Sequence, residues 1–117
     1  FSFAGGKQAF REIWRGSDHP TAVCAANDVS AMGVLDACSE MGVRVPKDLS
    51  LVGYDDTPVC QLAQPPLSSI CQPAHQMGAT AAERLIAALE DRPEPASTLF
   101  EPELVSRRSC RAVEGRC

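Results

Sequence analysis

Two polar dyads, Asn27-Asp28 and Asp55-Asp56, each follow a short apolar run of strand-like composition, residues 21–26 and 49–54. Open α/β sheets bind ligands outside the carboxyl ends of their parallel strands. Neighbouring strands lie about 4.8 Å apart, so the Asn27 amide and the Asp55 carboxylate could together grip one small polar molecule. An amide both donates and accepts while a carboxylate only accepts, a combination suited to vicinal hydroxyls. The same residues also suit a plainer reading, Asn27 as a helix N-cap and Asp55-Asp56 as a turn. Spacing alone does not separate the two.

Other chemistry is poorly supplied. The sequence holds no nucleophile elbow, no paired histidines of a zinc hydrolase, no glycine-rich phosphate loop and no calcium-loop spacing, so neither a catalytic nor a metal site is expected. Asp55 and Asp56 are adjacent, and on an extended backbone they would point to opposite faces rather than share a proton. His19, before Pro20, is expected to face solvent, and His75 lies near a helix start with no nucleophile beside it. The six cysteines form no CxxC pair. Cys24, Cys38 and Cys71 sit in apolar patterns and are expected to act as small buried hydrophobes. So many unpaired thiols suit a reducing compartment, the cytoplasm.

The elements that must position the dyads follow from periodicity. Residues 5–15 pair Ala9 with Ile13 and Phe10 with Trp14 at i, i+4 and stop at Gly16. Residues 28–41 start at Asn27-Asp28, turn Val29, Met32 and Leu35 toward one side, and end at Gly42. Helices alternating with the runs 21–26 and 49–54 through short linkers predict a βαβ unit with parallel strands. A Pro-rich loop is expected over 55–66, then a short strand at 68–71. From 73 to 90 a helix carries the stripe Met77, Ala81, Leu85 and Leu89, stopped by Arg92-Pro93-Glu94-Pro95, and the runs 98–100 and 103–105 look extended.

Composition sets the bounds. With 117 residues, 44% hydrophobic and 22% charged, one small packed domain or part of a larger one is expected. No apolar run exceeds five residues, far short of the roughly 20 needed to span a membrane. The chain opens at Phe1 without an initiator Met or signal-peptide pattern, which suggests a fragment. A net charge of −4 gives no footprint for a phosphate backbone. Arg107, Arg108, Arg111 and Arg116 cluster near the end and are expected to form a solvated, frayed tail rather than a nucleic-acid arm.

Several motifs in register now carry a resemblance. PTAVCAAND at 20–28, AMGV at 31–34, GVRVPKDLSLVGYDD at 42–56, PPLSSI at 65–70 with Gln72-Pro73, Met77-Gly78 and PELVSRRS at 102–109 resemble the LacI/GalR family of bacterial transcriptional regulators. The match runs through nearly all of 1–109. It implies an α/β, periplasmic-binding-protein-like type I fold of two lobes with an effector in the cleft. Residues 1–72 would form most of the C-terminal lobe, residues 73–101 would return to the N-terminal lobe, and residues 102–117 would supply the final strand and tail.

The resemblance also implies roles. Asn27 and Asp55 match the family's ligand-contacting Asn and Asp, Phe1 falls where an aromatic often stacks on the effector, and Gln72 at the lobe crossing would reach the cleft. Asp28 is expected to cap its helix, and Asp56 to stay clear of ligand. The partners implied are a sugar or related metabolite, a second copy through the helix at 28–41 and the loop at 57–66, and operator DNA through a helix-turn-helix outside this chain. No cofactor is implied. A transporter's soluble receptor shares the fold, but scattered cysteines are awkward in an oxidising periplasm, and an enzyme lacks its motifs. Without a partner for the Met77 stripe, the isolated chain is expected to self-associate.

Overall fold

Ser2 explains why the first helix begins two residues before its periodicity shows. In the computed structural model, which describes residues 1–93 and 97–112, the Ser2 hydroxyl accepts the Gly5 amide proton at 3.1 Å and caps α1 (Phe3–Ile13). The helix closes at Trp14 in a right-handed conformation, so Gly16 is not its terminator. Phe10 and Trp14 stack as their spacing predicts, ring centres 5.2 Å apart. Trp14 continues onto His19 at 4.2 Å, which gives that exposed ring an aromatic partner.

β1 (Ala22–Cys24) leads into α2 (Asp28–Met41), and Gly42 ends that helix at φ 69°. A left-handed residue at that position favours glycine. The buried face of α2 is Ala31, Val34, Leu35 and Cys38, at i, i+3, i+4 and i+7. Val29 is exposed, contrary to the expected stripe. The reason lies in two glycines: a Cβ on Gly33 would come within 2.0 Å of the Phe3 carbonyl oxygen, and one on Gly6 within 2.1 Å of the Ser30 carbonyl oxygen. Backbone-to-backbone approach of α1 turns the small-residue face of α2 inward.

β2 (Ser50–Tyr54) lies parallel to β1, with Val23 opposite Leu51 and Cys24 opposite Val52. β3 (Ser68–Cys71) lies parallel to β2, with Gly53 opposite Ser69. The predicted βαβ pairing is therefore present. Leu49, Leu51 and Leu67 are fully buried, each contributing roughly 1.5–3 kcal/mol of transfer free energy. Between β2 and β3 the expected loop holds one helical turn, α3 (Val59–Leu62), which buries Cys60 and exposes Leu62. Cys24, by contrast, is exposed, because its strand is at one end of the sheet order β1-β2-β3-β4.

The chain divides into two compact units, residues 1–71 with 104–117, and residues 72–103. In the second, α4 (Ala74–Leu89) buries Ala87 and leaves Met77, Leu85, Ile86 and Leu89 exposed. Its expected stop partly lies outside the described residues, and residues 98–100 are not a strand. β4 (Glu103–Val105) completes the sheet order.

Among residues 106–112, after β4, Arg107 and Ser109 are held by the fold, whereas Arg108 and Arg111 are exposed as expected. Ser109 is fully buried; its hydroxyl donates to the Leu51 carbonyl at 2.6 Å and accepts from the Ser68 amide at 2.7 Å, while its own carbonyl accepts from the Leu51 amide. It stitches β2 to β3. Arg116 and Cys117 lie outside the described residues.

Candidate functional site

Asn27 stands three residues beyond Cys24, and Asp55 three residues beyond Val52, the partner of Cys24 across the β1–β2 ladder. The two predicted residues therefore leave the sheet at the same end and at equal register. Asn27 is also the N-cap of α2, its Oδ1 accepting the Ser30 amide proton at 2.9 Å. The cap engages Oδ1 alone. Both sequence readings of Asn27 are compatible, because its amide nitrogen is a separate pair of donors.

Asp55 and Asp56 follow β2 with φ of 106° and 52°. Non-glycine residues at such angles are strained by roughly 1–3 kcal/mol each and persist only where the surroundings over-determine them. Here the surroundings do so. The Asp55 amide donates to the Ile70 carbonyl at 2.9 Å, and the Asp56 amide to the Ser69 hydroxyl at 3.1 Å. The Asp56 carboxylate pairs with Arg107, whose guanidinium also donates to the Leu67 carbonyl; both side chains are about 15% exposed. Asp56 is thus occupied within the fold, and the ion pair raises the Arg107 pKa.

Asp28 corrects an expectation. It does not cap its helix: it is the first helical residue, and its fully buried carboxylate turns inward. One oxygen accepts from the Ser69 hydroxyl at 2.6 Å; the other accepts from the Thr57 amide at 2.7 Å and the Thr57 hydroxyl at 2.9 Å. Burial opposes its ionisation, but the hydrogen bonds from Ser69, Thr57 and Cys60 outweigh that and hold the carboxyl below its ordinary range. The Cys60 thiol is pushed up to about 11, first by burial and then by Asp28. Gly53 makes room: a Cβ there would sit 2.4 Å from the carboxylate.

Phe1 is 97% exposed and lines an apolar pocket of about 290 Å³ with Ser2, Ile13, Val23, Cys24 and Ala26. Gln72 belongs to the second compact unit. Asn27, Asp55 and Phe1 all lie in the first, and neither Asn27 nor Asp55 lines the pocket. Sequence reasoning missed Thr57, Ser69 and Arg107, which hold the turn. Short polar residues in a loop and on a buried strand carry no spacing signal, and Arg107 belongs by sequence to the basic cluster near the chain end.

The fold and this edge define a class. The chain belongs to the periplasmic binding protein-like domain family, matched over residues 2–110. Within that family it is of the LacI/GalR regulator type. It is 39% identical over 115 residues to the ribose operon repressor of Haemophilus influenzae, covering 97% of this chain and 35% of that protein. It is 41% identical over 110 residues to the HTH-type transcriptional repressor PurR of Escherichia coli, covering 93% and 32%. A LacI family transcriptional regulator from Enterococcus faecium, solved with bound ribose, superposes with a TM-score of 0.85 at 30% identity, over 97% of this chain and 42% of that one. These relatives are regulators, not enzymes, and the chain spans about a third of the length of the two curated repressors.

Proposed function

We propose that this chain is the effector-sensing part of a LacI-type transcriptional repressor, taking a sugar or similar polar metabolite at the edge formed by Asn27 and Asp55. The equal register of these two residues beyond paired strands carries the reading. Phe1 would stack on the ligand and Gln72 would reach it from the lobe crossing. Residues 1–72 are read as the C-terminal lobe, 73–101 as a return to the N-terminal lobe and 102–117 as the final strand and tail. The ribose named for two of the relatives makes D-ribose the first probe.

The working protein would be a cytoplasmic homodimer, joined through α2 and the 57–66 segment, where Val29 and Leu62 are exposed. Its DNA contacts would come from a helix-turn-helix beyond these residues, since a net charge of −4 offers no phosphate grip here. Effector binding would bias lobe closure and shift operator affinity by a coupling of about 1–3 kcal/mol. In the full-length protein, Asp55→Ala is expected to abolish the response of operator binding to effector while operator affinity itself persists. A normal response, read by titrating D-ribose and a panel of monosaccharides against the operator complex, would refute the role.

A further inference from the structure

Asn27 and Asp55 sit on different elements, and something must hold those elements in fixed relation for one ligand to meet both. Asn27 belongs to the start of α2, whereas Asp55 belongs to a turn whose backbone is strained at two successive residues. Asp28 bridges them. Its carboxylate takes both Thr57 donors on one oxygen and the Ser69 hydroxyl on the other, and Ser69 in turn accepts the Asp56 amide. Four hydrogen bonds thus converge, directly or through one hydroxyl, on a residue adjacent to Asn27.

We propose that Asp28 is a positioning residue for effector binding: it locks the turn at 55–57 to the first turn of α2, so that Asn27 and Asp55 present one pre-set edge to the ligand. This rests on the reading of Asn27 and Asp55 as effector contacts. Three observations support a built device rather than an ordinary buried acid. Gly53 leaves a space that the carboxylate fills, so strand β2 accommodates it. The carboxylate is fully buried and touches no ligand-facing surface itself. The turn it grips holds two non-glycine residues at positive φ, a conformation that relaxes unless held. A ligand that finds its contacts already placed does not have to order them, and preorganisation of this kind is converted into affinity.

The test compares Asp28→Asn with Asp55→Ala in the full-length protein. Hydrogen exchange at the Asp56 and Thr57 amides reads the lock without any ligand. Titration with D-ribose reads positioning, and operator affinity without sugar reads overall integrity. Asp28→Asn is expected to speed exchange at those two amides and weaken D-ribose binding by about tenfold, leaving operator affinity unchanged. Asp55→Ala is expected to remove ribose binding while Thr57 stays protected. Unchanged exchange in Asp28→Asn overturns the lock; faster exchange with unchanged ribose affinity overturns the positioning role, as does equal loss of ribose and operator binding. Ribose affinity indifferent to Asp55→Ala overturns the effector reading, and the role of Asp28 falls with it. If Asp28→Asn does not fold, Thr57→Val, which removes one donor and keeps the amide, carries the same comparison with smaller effects.

Discussion

α2 and α4 are helices of similar length, 14 and 16 residues, with opposite fates. α2 buries eight of its residues and α4 one. α2 has a side-chain N-cap at Asn27 and an acid in its first turn; α4 starts at Pro73 with neither. The apolar residues of α4 are the more regularly spaced, yet Leu85 and Leu89 are 63% and 78% exposed. Amphipathic pattern shows that a helix wants a partner. Whether it has one depends on what the rest of the fold brings to it, here the glycine-mediated approach of α1 to α2.

The contrast is broken or sharpened first by core truncation. Leu35→Ala on α2 should cost about 3 kcal/mol in denaturant unfolding, whereas Leu89→Ala on α4 should stay within about 0.5 kcal/mol. In sedimentation the isolated chain should self-associate, and Leu89→Ala should weaken that association; equal costs for the two leucines, or a monodisperse monomer, would remove the distinction. A smaller effect comes from acid. Because the folded Asp28 carboxyl lies below its ordinary value, its stabilisation is present above the unfolded pKa near 4 and is lost as pH falls through the folded value. Amides at the start of α2 and at Thr57 should therefore lose exchange protection below about pH 4, while α4 responds less and Asp28→Asn flattens the dependence. The smallest effect concerns the caps. Asn27→Ala should cost about 1 kcal/mol, and Pro73→Ser should change α4 by no more than that, in the stabilising direction if its first turn accepts a cap.

Much of this was legible in order and not in detail. Parallel β1 and β2, Gly42 as terminator and the Phe10–Trp14 pair follow from local periodicity and conformational preference, which a sequence displays directly. Fold rules lead to the expectation that Asn27 and Asp55 share one edge of the sheet; their equal register comes from the β1–β2 pairing itself. What escaped depended on contacts far apart in the chain. Asp28 looked like a cap because cap residues and buried acids share a sequence position, and only Thr57, Ser69 and Gly53 reveal which it is. Arg107 and Ser109 looked like tail because polar residues after a last strand usually meet solvent; the carbonyls of Leu67 and Leu51 are what draw them in. Val29 departs from the expected face of α2 because Gly33 decides which side α1 can approach, and a glycine adds nothing to an apolar stripe.

The equal counts from Cys24 to Asn27 and from Val52 to Asp55 mean that the edge is specified by chain length as well as by residue type. One residue inserted between Val52 and Asp55 would move the carboxylate by up to about 3.3 Å along an extended chain and turn it to the other side. An insertion or deletion within either three-residue step would therefore break the alignment of Asn27 with Asp55. Between Leu62 and Pro66, past the contacts of Asp28 with Thr57 and Cys60, the same changes in length would leave that alignment untouched.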